Sequence, residues 1–428
     1  MIDRTIAPPI KNAVDFKLEL KPYEKHRLDN GVEVYAINAG EEEVIQIEWL
    51  FFAGNSWEEN NLVAAATNHL LKNGTTSRTA FEINEHFEFY GSYLNRTCHH
   101  ETASITLHTL SKHLPAVLPV VQEILTDSIF PQTELDIYVQ NSKQRLAVSL
   151  LKSDFVAHRE IDALIYGKDH SYGKYSSMAD YDALDVTKIQ QFYEQHYKNG
   201  KCLILLAGKL PANIIELMNG YFGSLPFFSP TISVKDPMPL PAIKGQRVSR
   251  INNDPNGVQG AIRLASHFPN RHHPEFKEVQ VLNTVFGGYF GSRLMSNIRE
   301  DKGYTYGIHS FLQGHIEQSA WMITTEAGKD VSEATISEIY KEMKQLRDEP
   351  VDAEELMLVR NYLLGSLLGD LDGPFHIIGR WKSYILNALD ENYFHEATDT
   401  IRNITPERLQ ELANKYLQPE KFYELLVV

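Results

Sequence analysis

The 428-residue sequence predicts an α+β protein built from two copies of one domain. Three observations predict it. Strand-like and helix-like segments alternate through the first half. Residues 224–245, SLPFFSPTISVKDPMPLPAIKG, are rich in proline and lack periodicity, as a linker does. The two halves also close alike. DVTKIQQFYEQHYKNGKCLILLAG and NITPERLQELANKYLQPEKFYELLVV each read as a Thr-capped helix, a tyrosine near its end, a turn and an apolar strand. Thr187 and Tyr197 in the first match Thr405 and Tyr416 in the second. A repeat of roughly 200 residues lies within the usual domain range. The expected division is therefore residues 1–223, a linker at 224–245, and residues 246–428.

Each element has a local cause. NGVEVYAI and VIQIEWLFFAG read as strands, the first opened by an Asn-Gly turn. Leu62 to Lys72 reads as a helix, with Asn60 or Asn61 as its N-cap and Gly74 as its stop. Thr79 and Glu82 form a T-x-x-E capping box for the next helix, which sets Ala80, Ile83, Phe87 and Tyr90 on one face. SYLNRTC and ETASITLHTL read as paired antiparallel strands. Helices follow at about 112–127, 132–152 and 187–197, then the strand KCLILLAG. The second half opens with the strands RVSRI and VQGAIRLASHF. A helix, strands at 305–326, a helical run to about 416 and the strand KFYELLVV follow.

Composition narrows the partners. The net charge of −15 disfavours nucleic acid and anionic membranes, and favours a basic or extended peptide. Cys98 and Cys202 are far apart and form no C-x-x-C motif. The first residues lack a basic-then-apolar leader, and no apolar run approaches the ~18 residues of a membrane span, so a cytoplasmic location is expected.

The stretch AAATNHLLKNGT bears most directly on function. In H-x-x-E-H, two histidines one helical turn apart share a Zn²⁺ ion, and a glutamate on the same face takes a proton from zinc-bound water. Here Ala65, Asn68 and His69 occupy those positions. Ala65 has no donor atom, and Asn68 cannot act as a base at neutral pH. His69 alone cannot hold a catalytic zinc. A lone histidine on a helix is ordinarily a packing or surface residue.

TNHLLKNGTTSRTAFEINEHFEFYGSYLNRTCHHETASITL resembles the N-terminal domain of M16 (pitrilysin-type) peptidases. Gly74-Thr75, Gly91 with Asn95, and Glu101 to Ser104 match successive family elements, and YGKDHSYG resembles the family's H-P-Y-G stretch. GGYFGSRLMSNIREDKGYTYGIHS is similar to the second-domain signature G-x-x-S-R-L-x-x-x-x-R-E-x-x-G-x-x-Y. The resemblance covers nearly the whole chain. It implies two domains, each a mostly antiparallel sheet with helices on one side, facing each other like a clam shell. It also implies that a zinc-ligating glutamate should lie on the 132–152 helix, yet no acidic residue stands between Asp136 and Asp154. Arg299 and Tyr306 match a retained pair that, in active relatives, holds the substrate backbone and stabilises the tetrahedral intermediate. Guanidinium and phenol donors suit that task. In some M16 members, such as mitochondrial processing peptidase, two chains associate and one of them carries the zinc. The resemblance thus implies a non-catalytic subunit without a metal or cofactor of its own. Its partners would be an H-x-x-E-H-bearing chain, which supplies the zinc, and an unfolded or extended peptide.

Two rival readings stay open. One is a purely structural core protein. The other is an active enzyme with a rebuilt metal site using His69 and the Cys98–Glu101 cluster. That cluster, CHHE, could chelate only from a turn, because strand neighbours point to opposite faces. EINEH reads as the polar face of an amphipathic helix and RHHP as a lead-in to one. GGYFG lacks the Lys-Ser/Thr of a phosphate loop.

Overall fold

The computed structural model describes residues 11–234 and 245–428, so most of the proline-rich part of the predicted linker, residues 235–244, lies outside the described residues. The first half builds a six-stranded sheet from β1 (Glu24–Arg27), β2 (Glu33–Asn38), β3 (Val44–Phe51), β4 (Tyr93–Cys98), β5 (Ala103–Leu110) and β6 (Cys202–Gly208), in the order β1-β2-β6-β3-β5-β4. The second half builds β7 (Val248–Ile251), β8 (Gln259–Phe268), β9 (Thr305–Gly314), β10 (Ser319–Gly328) and β11 (Tyr423–Val427) in the order β7-β11-β8-β10-β9. Without β1, the two orders are the same. The directions agree too, because the only parallel pairs among these strands are β2 with β6 and β7 with β11. Each half thus inserts its last strand between its first two. The matching segments seen in the sequence are those central strands and the helices that lead into them.

The helices of the first half are α1 (Val63–Leu70), α2 (Ala80–Phe89), α3 (Leu114–Asp127), α4 (Gln132–Leu150), α5 (Ser153–Tyr166), α6 (Met178–Asp182), α7 (Val186–Tyr193) and α8 (Ile214–Phe222). Those of the second are α9 (Phe276–Asn283), α10 (Ser332–Asp348), α11 (Ala353–Gly369), α12 (Pro374–Leu386), α13 (Glu391–Asn403) and α14 (Pro406–Tyr416). No helix among the described residues is long and apolar enough to cross a membrane.

Period-two alternation sends each central strand into two cores. On β6, Cys202, Ile204 and Leu206 join the helices of the first half. Leu203, Leu205 and Ala207 face the other way, into a core that contains Ile377, Ile378 and Trp381 of α12, a second-half helix. The exchange is mutual. Ala157, Ile161 and Ile165 of α5, a first-half helix, pack on Ala261 and Ala265 of β8 and on Tyr423, Leu425 and Val427 of β11. So the helices of each half cover one face of its own sheet, and one helix from the other half covers the opposite face. Fully burying side chains of this size stabilises by roughly 1.5–3 kcal/mol each. Burial on both faces explains why KCLILLAG and KFYELLVV read as unbroken apolar runs. Ion pairs accompany the exchange. Lys382 of α12 meets buried Glu48 of β3 at 3.0 and 3.2 Å, and Asp154 of α5 pairs with buried Arg263 of β8.

Several caps differ from expectation. The Thr79–Glu82 box forms, with Glu82 N donating to Thr79 Oγ1 at 3.3 Å and Thr79 N to Glu82 Oε2 at 2.8 Å. The cap of α1, however, is neither Asn60 nor Asn61. The chain enters through Leu62 at φ +74°, and the Glu58 carboxylate accepts the amides of Leu62 at 3.2 Å and Ala64 at 2.8 Å. A buried carboxylate there meets the positive end of the helix, and Lys174 pairs with it at 2.7 Å. Asn61 is engaged elsewhere, with Tyr175 O at 3.1 Å. Thr405 caps α14 as expected, but Asp185 rather than Thr187 caps α7, accepting from Lys188 N at 3.0 Å. A carboxylate two positions earlier reaches the free amides, whereas Thr187 already lies inside the helix. At the start of the predicted linker, Phe227 is buried in the first half and Ser229 Oγ accepts from Glu33 N at 2.7 Å.

Candidate functional site

Helix α1 presents Ala65, Asn68 and His69 toward a cavity of about 540 Å³. Its walls come from α1, β4, α4, α5, α6 and the segment before α6, all in the first half. Asn68 is buried, and its amide nitrogen donates to Ser104 O of β5 at 3.3 Å and to Tyr197 Oη at 3.1 Å. Tyr197 lies in a wider, π-helical turn that continues α7. The position of the family's base therefore ties a helix to a strand. The His69 ring packs on Tyr138 of α4, centroids 4.8 Å apart. Partial burial pushes its imidazole down to about 4, and Arg96, Arg145 and Lys72 reinforce the shift, so it is neutral at pH 7.

These cations line the same cavity. Lys72 follows α1, Arg96 sits on β4 and Arg145 on α4. Arg96 Nη1 donates to His69 O and, at 3.4 Å, to Asn73 Oδ1, and Arg145 Nη2 donates to Ser142 Oγ at 3.1 Å. The sequence reading missed all three residues. The signal was present: Lys72 stands four residues after Asn68, and the stretch of α4 beyond Asp136, which lacks a zinc-ligating glutamate, carries Arg145. These residues do not fit a zinc ion. Ala65 offers no lone pair, the nitrogen of Asn68 is turned to two acceptors, and three cations occupy the surroundings.

CHHE is a hairpin turn between β4 and β5, closed by His99 N donating to Thr102 O at 2.8 Å. It joins the two halves. Glu101 Oε1 accepts the amide of Ile316 in the β9–β10 turn at 3.2 Å and the hydroxyl of Tyr172. Tyr172 stacks on His315, centroids 4.0 Å apart, and the His100 ring meets His315 edge-on at 4.8 Å. Burial pushes the Cys98 thiol up to about 12, which makes it a poor thiolate ligand at neutral pH. Among the described residues, no three His, Cys, Asp or Glu side chains converge as a metal site would require. In EINEH, His86 Nε2 lies 2.9 Å from Ala116 O. In RHHP, His272 Nε2 lies 2.6 Å from Asn387 O.

The second-half signature divides into support and surface. Arg293 Nε and Nη2 grip the two carboxylate oxygens of Glu355 on α11 at 2.9 and 2.8 Å. Arg299 lies in a π-helical segment, Met295–Asp301. Gly303, at φ +64°, turns the chain into β9, where Tyr306 is 92% exposed. The Arg299 guanidinium stands 4.6 Å from the Phe290 ring centroid and 5.6 Å from that of Tyr306. Its nearest carboxylate is Glu300, at 4.0 Å. The structure thus brings Arg299 and Tyr306 together with their donors open, but neither lines the cavity beside Asn68.

Residues 183–363 match the family described as the Peptidase M16 inactive domain. An uncharacterized zinc protease of Rickettsia felis is 26% identical over 347 residues, covering 80% of this chain and 82% of its own. The mitochondrial-processing peptidase subunit beta of Saccharomyces cerevisiae is 21% identical over 377 residues, covering 83% of this chain and 77% of its own. A solved M16 inactive-domain structure from Pseudomonas fluorescens superposes with a TM-score of 0.84 at 22% identity, covering 95% of this chain and 98% of that one.

Proposed function

The chain is an M16 peptidase homologue, and from that premise we propose that it holds peptide substrate for a zinc-bearing partner subunit and does not cleave peptide alone. One observation carries this reading: the Arg299–Tyr306 pair is assembled and open, while the α1 site lacks the ligands and base of hydrolysis. Phe290 supports the guanidinium from one face, leaving its N–H groups for a peptide carbonyl. The phenol of Tyr306 supplies a second donor beside it. In an assembly, an H-x-x-E-H chain would provide the metal and the base, and this chain would fix the peptide backbone against them. That a relative of similar length is named as one subunit of a processing peptidase supports a two-chain arrangement.

The structural-core reading draws on Asn68, whose hydrogen bonds turn a catalytic position into a tie between elements. One experiment separates the two. The purified chain is assayed for peptidase activity alone and with a co-expressed H-x-x-E-H homologue. Silence alone, cleavage with the partner, and a loss of about 10²-fold with Arg299→Ala are expected, in the range for removing a transition-state donor. Partner activity indifferent to Arg299→Ala would leave only the structural reading. Chelator-sensitive cleavage by the chain alone would overturn both.

A further inference from the structure

The cavity beside Asn68 is cationic in a strongly acidic protein. Lys72, Arg96 and Arg145 reach it, and no aspartate or glutamate is part of its wall. None of the three forms an ion pair within 4 Å among the described residues. The nearest carboxylates are otherwise placed. Glu134 lies in a neighbouring cleft, where it accepts from Asn73 Nδ2 at 2.7 Å. Glu88 acts on Lys72 without bonding to it. Elsewhere in this molecule, several basic side chains near buried surface are matched by carboxylates, and others, such as Arg360 and Arg247, are each held by two backbone carbonyls. Arg293 grips Glu355, Arg263 meets Asp154, and Lys382 meets Glu48.

Cations left unmatched around a cavity attract an anion, because its low-dielectric walls focus the field. The donors suit a planar anion: two guanidinium forks, one ammonium, and hydroxyls from Tyr138 and Ser142 on α4. The volume, about 540 Å³, admits a side chain or chain end.

We propose that this cavity is a carboxylate-binding subsite that takes an acidic side chain or the C-terminal carboxylate of an extended peptide. The peptide as carrier rests on the holding function proposed above; the anion site itself does not. In this arrangement the protein's own cations hold an anionic group of the substrate at the place where relatives hold a metal.

The test uses the full chain and four short fluorescent peptides of otherwise identical sequence. They carry a central Glu or Gln, each with a free or amidated C-terminus, and binding is read by anisotropy at low salt. The carboxylate-bearing peptides should bind about 10-fold more tightly or better, the scale of one charged hydrogen-bonded contact. The preference should vanish in Lys72→Gln/Arg145→Gln and fade with added salt. Whether it follows the central residue or the terminus identifies the source of the carboxylate. Equal binding of all four, or a preference that survives the double substitution, overturns the subsite while leaving the holding function intact. If no peptide binds, free glutarate decides the anion site alone. A glutarate-induced shift of the His69 imidazole NMR signal, absent in the double variant, supports the site; no shift overturns it.

Discussion

Two corners of the molecule occupy corresponding places in the two halves, and they handle charge in opposite ways. In the second half, Glu275 at the start of α9 accepts from Arg408 at 2.9 Å, from Lys415 at 2.6 Å and from the hydroxyl of Tyr416. In the first half, Tyr197, the counterpart of Tyr416, accepts a hydrogen bond from the amide of Asn68, and the cations nearby have no carboxylate. The topology is the same and the hydrogen bond to the tyrosine is reversed. Where charges are matched, they fasten α14, the helix that leads into the last strand, to the start of α9. Where they are unmatched and face a cavity, they make only hydrogen bonds to neutral partners, and their charge is left for the anion proposed above.

The comparison can be broken at four points. The largest effect is expected at Glu275. Burial would raise its carboxyl, but hydrogen bonds from Lys415, Tyr416 and Arg408 prevail and hold it near 2, well below the ordinary 4.5. Its contribution to stability is therefore complete above about pH 4.5 and lost as pH falls through about 2. Glu275→Ala should cost about 2–3 kcal/mol at pH 7, read as a lower denaturation midpoint, and the cost should shrink in acid. An unchanged midpoint would show that matched charge is not what fastens this corner. Next is Asn68→Ala, which leaves Ser104 O and the Tyr197 hydroxyl short of a donor and should cost about 1–2 kcal/mol.

The smaller effects belong to the unmatched corner. Lys72→Gln/Arg145→Gln should change stability by less than about 0.5 kcal/mol in either direction, because no ion pair is broken. A large loss would mean these cations are structural after all. The last effect is spectroscopic. His69 has its proton affinity lowered by burial and by three cations, so in the folded protein its charged form appears only as pH falls through about 4, whereas the unfolded ring charges from about 6.5 down. In the folded state this favours the neutral ring, and stability declines across that window. Proton NMR of the double variant should show the His69 titration moved upward, toward the ordinary histidine value, while the burial contribution persists.

Much of the fold was legible because its signals are local. The Thr79–Glu82 box and the Thr405 cap both follow from short-range patterns that the structure reproduces. The repeat was legible because the matching segments are the central strand and the helix leading into it, the most constrained part of each sheet. The cap of α1 was not, because Glu58 reaches its amides from four residues before Leu62. CHHE looked like a metal motif because histidines near a glutamate suggest ligands. Its actual role, contact with His315 and Ile316, depends on residues more than two hundred positions away. The cation set was missed for a related reason. Lys72, Arg96 and Arg145 come from three elements, and the absence of acid on α4 after Asp136 was read only as a missing ligand. That absence also leaves Arg145 unopposed.

The traded helices have a further consequence. With α5 lodged on β8 and β11, and α12 on β2 and β6, each repeat completes the other's interior. A chain broken between residues 234 and 245 would leave one face of each sheet without the helix that covers it. A substitution that disturbs either sheet is then felt in both halves, whatever becomes of the surface chemistry. The side chains that a helix such as α1 displays can then differ from one such protein to another without loosening the frame that displays them.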